Sequence, residues 1–158
     1  MNRYLIRQKF FKIADHFDIK DDRGYVRFTV KSKIFTIGKK FWIYSPGGQE
    51  IFYIKQRLFR LLPRYDLYNN GNFVGKIKGK FRLFVKRLKV TSDYGDYTIK
   101  GNVLAWDFKI LDENDNIAGA ISKSILKIAD TYTVDAYAND ALILAIAIVL
   151  DRLYHPKH

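Results

Sequence analysis

Lys76, Lys78, Lys80 and Arg82 stand at alternate positions, and Lys86, Arg87 and Lys89 follow within a few residues. In an extended strand, alternate side chains share one face, about 7 Å apart. Phosphate groups of a lipid headgroup or a nucleic-acid backbone can be bridged at that spacing. Each lysine held near an anionic membrane contributes about 1 kcal/mol, so a row of four binds usefully. Lysines on a strand face also serve a plainer purpose, since they discourage edge-to-edge pairing with other chains. These seven residues are the candidate contacts to an anionic ligand.

Other chemistries find weaker footing. The acidic stretch Asp112–Asn116 (DENDN) starts like a calcium loop. Its sixth position is Ile117 where a glycine is needed, and its twelfth is Lys123 where a bidentate glutamate is needed, so a hairpin tip is expected. His155 and His158 bracket Pro156 with no carboxylate between them, and His16 stands far away, which does not make a zinc pattern. With no cysteine, disulfides, thiolate metal sites and cysteine nucleophiles are excluded. The chain has no Gly-x-Ser-x-Gly elbow, Walker-type phosphate loop or GxGxxG, and Gly47-Gly48 after Pro46 reads as a turn. Asp130 and Asp135 flank Thr131–Val134 and read as surface or rim residues. No catalytic, cofactor-binding or metal-binding residue is assigned, and no enzymatic activity is expected.

The elements that must carry the lysine row follow from one segment. Ala141–Leu150 reads ALILAIAIVL, ten consecutive apolar residues. A helix of this composition is apolar on every side and needs apolar surroundings on every side. At 1.5 Å per residue it reaches about 20 Å with its flanks, short of a ~30 Å hydrocarbon layer. No transmembrane segment is expected, and Asn139 or Asp140 is the expected N-cap.

The rest of the chain reads as hairpins. Alternating apolar runs meet at Asp21-Asp22-Arg23-Gly24, Ser45-Pro46-Gly47-Gly48, Asn69-Asn70-Gly71 and Asp112–Asn116, with turn residues that accept positive φ. Between turns the period is two: Phe73, Gly75, Ile77, Gly79, Phe81 and Leu83 oppose the cations at 76, 78, 80 and 82. Ile99, Gly101, Val103 and Ala105 likewise oppose Thr98, Lys100, Asn102, Leu104 and Trp106. Gly75 and Gly79 are expected to let the helix approach the wall. Residues 51–64 (IFYIKQRLFRLLPR) are ambiguous, because Leu58, Leu61 and Leu62 fit a helical stripe while Tyr, Phe and Ile favour strands. Residues 1–14 read as a first strand or a short closing helix. The expected architecture is mainly β: a closed antiparallel wall filled by the C-terminal helix, one domain over residues 1–158. A filled barrel leaves function to its exterior.

Lys and Arg outnumber Asp and Glu by 28 to 16, a net charge of +12. Such a field attracts polyanions. The first residues, MNRYLIRQKFFKIADHF, have no continuous apolar stretch, so no signal peptide is expected. A cytoplasmic monomer, peripheral to an anionic membrane surface, is the leading expectation. Nucleic acid is the less favoured partner, because most aromatics are read as facing inward and not as platforms for bases.

A late Ser-Lys and Asp-x-Tyr segment and the short apolar C-terminal helix complete a familiar order. Asp66–Gly75, Gly119–Lys123 (GAISK), Asp130-Thr131-Tyr132 and Asp140–His155 carry it, and it resembles the LURP-one-related (YxjI-like) family, grouped with Tubby C-terminal domains and phospholipid scramblases. The resemblance implies a twelve-stranded antiparallel barrel around a central hydrophobic C-terminal helix, the Tubby C-terminal-like fold. It also implies phosphoinositide-like headgroup recognition through basic side chains, with a structural or regulatory interaction module, including one that binds nucleic acid, as the alternative. Scramblases carry palmitoylated cysteines and a proline-rich arm, which this sequence lacks, so lipid scrambling is not expected.

Overall fold

A computed structural model describes residues 1–7, 16–33, 37–80, 87–123 and 131–154, with the side chain of Lys80 outside that set. Its strands are β1 (Asn2–Arg7), β2 (His16–Asp21), β3 (Val26–Lys33), β4 (Lys40–Tyr44), β5 (Glu50–Arg57) and β6 (Arg64–Asn69). They continue with β7 (Asn72–Lys80), β8 (Arg87–Ser92), β9 (Tyr97–Asn102), β10 (Asp107–Leu111), β11 (Ile117–Lys123) and β12 (Thr131–Ala136). A single helix, α1 (Asp140–Tyr154), follows. Each strand pairs with its sequence neighbours, and β1 pairs with β12 to close a twelve-stranded antiparallel barrel. The first segment is therefore a strand over residues 2–7, and Arg3 fixes the seam with two hydrogen bonds to the Asp135 carboxylate, at 2.7 and 3.0 Å.

The interior is built by alternation. Phe17 and Ile19, Phe41 and Ile43, Phe52 and Ile54, Leu88 and Val90, and Phe108 and Ile110 all point inward and are buried. They surround α1, which is buried from Ala141 through Arg152, as an all-apolar helix requires. Asn139 is its cap: its Oδ1 accepts the Leu142 N–H at 3.0 Å. Asp140 instead accepts hydrogen bonds from Asn2 and from the Tyr4 hydroxyl.

Three local expectations are corrected. First, Tyr68 pairs with Phe73 while Leu67 pairs with Gly75, so Val74 is the extra residue of a β-bulge. The bulge inverts the alternation, burying Val74 and turning Phe73 to the outside. Second, a turn over residues 103–106 resets the period after β9, so that Trp106 is buried and Leu104 is exposed. Ala105 is exposed with it, whereas Gly101 keeps the inward parity, pairing with buried Phe108, whose ring a Cβ on Gly101 would meet at 2.5 Å. Third, a Cβ on Gly75 would meet Ser92 and Thr91, and one on Gly79 would meet Pro63. The close approach of the helix is at Gly119, where a Cβ would lie 2.9 Å from Ile143 Cγ2. Phe81 and Leu83 lie outside the described residues.

The ambiguous stretch resolves as strand, loop and strand. β5 ends at Arg57 and β6 begins at Arg64. The leucines read as a helical stripe sit in the connection, with Leu61 almost fully exposed. Chain alternation places this connection and the C-terminus of α1 at one end of the barrel. The short turns, β2–β3, β4–β5, β6–β7, β8–β9 and β10–β11, are at the other end. Asp112 typifies these turns: its Oδ1 accepts the N–H groups of Asn114 and Asn116, both at 2.9 Å. The DENDN segment is thus a hairpin tip whose carboxylate is engaged by its own backbone.

Candidate functional site on the outer face of β3–β8

The cationic residues come together through register. Lys76 and Lys78 lie half-buried on the outer face of β7. Arg87 and Lys89 are exposed on β8, and Lys89 pairs with Lys78 while Arg87 pairs with Lys80. Strands β7 and β8 therefore carry five of the seven candidates. Arg82 and Lys86 lie outside the described residues.

Further cations arrive from strands that the sequence pattern did not connect. One row across the sheet runs Lys33, Lys40, Lys55, Asp66, Lys76 and Thr91. The next row toward the loop end runs Arg57, Arg64, Lys78 and Lys89. Side chains directly opposite across a strand pair stand about 5 Å apart, and like charges there are destabilising. Lys33 faces Lys40, Lys40 faces Lys55, and Lys78 faces Lys89. Such repetition is unfavourable for the folded protein alone and favourable once an anion lies over it.

Asp66 is the one acid in these two rows. Although its position faces outward, its carboxylate is buried beneath arginine side chains, with Arg64 Nε at 2.6 Å and Arg57 Nε at 3.6 Å. It orients the two guanidinium groups and leaves the surrounding patch with a net positive charge.

A third row borders the cations on the side of the short turns. Trp42, Tyr53, Tyr68 and Phe73 are register partners on β4 to β7. Trp42 and Tyr53 stack with ring centroids 5.1 Å apart and planes at 20°. Tyr68 continues the ladder at 5.7 Å from Tyr53 and 5.9 Å from Phe73. Burial within the ladder pushes the Tyr53 phenol above its ordinary pKa, and it stays neutral at physiological pH. The sequence reading assigned aromatics mainly to the interior and missed this ladder. Its signal was available only through pairing: Trp42 and Tyr53 alternate with inward residues on separate strands, and Phe73 joins them because of the bulge.

Charge is also polarised along the barrel. Asp21, Asp22, Asp93, Asp96, Asp112 and Glu113 occur at the short-turn end. The two cationic rows lie toward the other end. Among the described residues no helix is long and apolar enough to cross a membrane, a statement that concerns helices alone.

Comparison with known proteins accords with this architecture. No curated protein matches the chain in sequence. The X-ray structure of an Arabidopsis thaliana protein shares the fold with a TM-score of 0.69 at 17% identity, over 96% of this chain and 90% of that one. A family model described as LURP-one-related matches residues 2–151. With nearly its whole length matched, this chain belongs to the LURP-one-related family.

Proposed function

We propose that this barrel is a non-enzymatic binding domain that recognises an anionic membrane surface through the outer face of β3–β8. The observation that carries the reading is the set of like-charged cross-strand pairs in two rows whose one acid, Asp66, is buried beneath arginines. The interior is occupied by α1, so an extended ligand has the outer wall to meet. Cytoplasmic leaflets rich in anionic lipid supply phosphates at high density, and juxtamembrane cations add about 1 kcal/mol each there. The aromatic row favours a membrane over single-stranded nucleic acid. Trp42 and Tyr53 turn their faces toward each other, leaving less ring face for base stacking, while amphipathic rings suit the headgroup region.

Flotation with phosphatidylcholine vesicles, with and without phosphatidylserine or phosphoinositide, tests the proposal. Binding should require the anionic lipid. Replacing Lys76, Lys78 and Lys89 together with Gln should remove about 3 kcal/mol, a loss of affinity of about 150-fold. Vesicle binding that ignores lipid charge, or that survives this triple replacement, contradicts the proposal. Tight binding to single-stranded DNA with a steep salt dependence, and none to vesicles, would favour the nucleic-acid alternative.

A further inference from the structure

Ile37, Phe59 and Leu61, on neighbouring connections at one end of the barrel, are each at least 88% exposed, an unusual position for large apolar side chains. Phe59 and Leu61 project from the β5–β6 connection. Ile37 precedes Gly38, which lies against it: a Cβ on Gly38 would sit 3.6 Å from Leu58 Cδ1. The connection is held at both ends. Gln56 N–H donates to the Lys39 carbonyl at 2.9 Å, and Gly79 N–H donates to the Pro63 carbonyl at 2.9 Å. Phe59 has φ of 57°, a left-handed conformation unusual for an aromatic residue. The backbone is thus strained where it presents a fully exposed aromatic ring.

Cations surround these apolar residues. Arg57 and Arg64 flank the connection, and Arg60 stands between Phe59 and Leu61, exposed. A second copy of this chain would bring the same arginines together, and like-charge repulsion opposes such a pair. An apolar tip ringed by arginines instead matches a bilayer, with acyl chains below and anionic phosphates at the rim.

We propose that the β5–β6 connection is a membrane-insertion tip. Phe59 and Leu61, with Ile37 beside them, enter the boundary between headgroups and acyl chains of an anionic bilayer, while Arg57, Arg60 and Arg64 engage phosphates. This rests on the membrane reading above and adds a tilt to it: the β3–β8 wall lies against the bilayer with the loop end of the barrel dipped toward it and the acidic short-turn end tilted away. The polarity of charge along the barrel steers the approach in the same sense.

Because the chain lacks cysteine, a single cysteine can be labelled cleanly. Leu61→Cys and Glu113→Cys would each carry a polarity-sensitive fluorophore, added to vesicles of phosphatidylcholine and phosphatidylserine that contain lipids with quenchers on their acyl chains. The probe at position 61 should shift to the blue and be quenched, and the probe at 113, on the opposite end, should do neither. In the unlabelled protein, Phe59→Ser with Leu61→Ser should weaken vesicle binding by about 30-fold without changing the far-ultraviolet spectrum or the melting temperature. If the protein floats with vesicles while the probe at 61 stays aqueous, the insertion tip is wrong and the membrane reading stands. If it does not float at all, both are wrong. If sedimentation shows a dimer that the double serine variant abolishes, the tip is a self-association surface and the proposal is overturned.

Discussion

Asp151→Ala should lower the unfolding free energy by about 3–5 kcal/mol. Asp151 and Arg152 lie in the last turn of α1, inside the barrel, with Arg152 Nη2 3.0 Å from Asp151 Oδ2 and side chains 2% and 1% exposed. A carboxylate near a helix C-terminus is unfavourably placed in the helix dipole, and its cationic partner offsets that. Removing the carboxylate takes its ion-pair partner at 3.0 Å away from a buried guanidinium. Domains of this kind unfold at about 5–15 kcal/mol, so the loss is a large share of the total. Urea unfolding measures it directly. The control is the double replacement Asp151→Leu with Arg152→Leu, which removes both charges and should cost less than the single variant. A single variant within about 1 kcal/mol of the parent would show that the pair is not buried as described.

Alkaline unfolding is the second large effect. Burial raises the pKa of Tyr65 and Tyr132 well above the ordinary tyrosine value. For Tyr132 the Asp151 carboxylate adds to the effect of burial, while Arg152 opposes it. Tyr4 is raised by burial and then by its hydrogen bond to Asp140. The unfolded chain releases these phenolic protons first, so it binds fewer protons than the folded chain above about pH 10. Stability is complete below that value and is lost as pH climbs toward the folded-state values. Each pH unit above the unfolded-state value costs about 1.4 kcal/mol for every phenol that the fold keeps protonated, and a domain of marginal stability has little to spare. Denaturant unfolding at a series of pH values should show a plateau to about pH 9.5 and a steep fall beyond it. Tyr65→Phe should reduce the slope above pH 10. An unchanged slope in that variant would remove Tyr65 from the account.

Much of the fold is legible in the sequence for physical reasons that can be named. An apolar run with no polar side admits one environment, and α1 is buried from Ala141 to Arg152 as that argument requires. The turn residues at 21–24, 45–48, 69–71 and 112–116 demand hairpins, and each is found. Strand count came from the family resemblance, because period-two patterning alone does not say how many strands close a wall. What failed were places where parity slips. A one-residue bulge at Val74 turns Phe73 outward, and the turn at 103–106 buries Trp106. Neither event changes composition or spacing.

The candidate site was half visible for a related reason. Lys76 and Lys78 announce themselves because they alternate on one strand, whereas Lys40, Lys55, Arg57 and Arg64 are scattered over three others. Only cross-strand register makes neighbours of Lys40 and Lys55, or of Lys78 and Arg64. Asp66 lies between Tyr65 and Leu67 at an outward position, where an exposed residue is the natural expectation. It is buried because arginine side chains from its own strand and from β5 fold over it. The leucines of the β5–β6 connection left that stretch open between helix and strand, since their spacing matches a helical stripe that packing does not use.

Amine acetylation of the vesicle-bound protein, read lysine by lysine by mass spectrometry, tests the central claim most directly. Anionic vesicles should protect Lys40, Lys55, Lys76, Lys78 and Lys89, all on the β4–β8 wall, and leave Lys20 on β2 and Lys109 on β10 as reactive as in solution. Protection centred on Lys20 and Lys109, or spread evenly around the barrel, would contradict the assignment of recognition to this face.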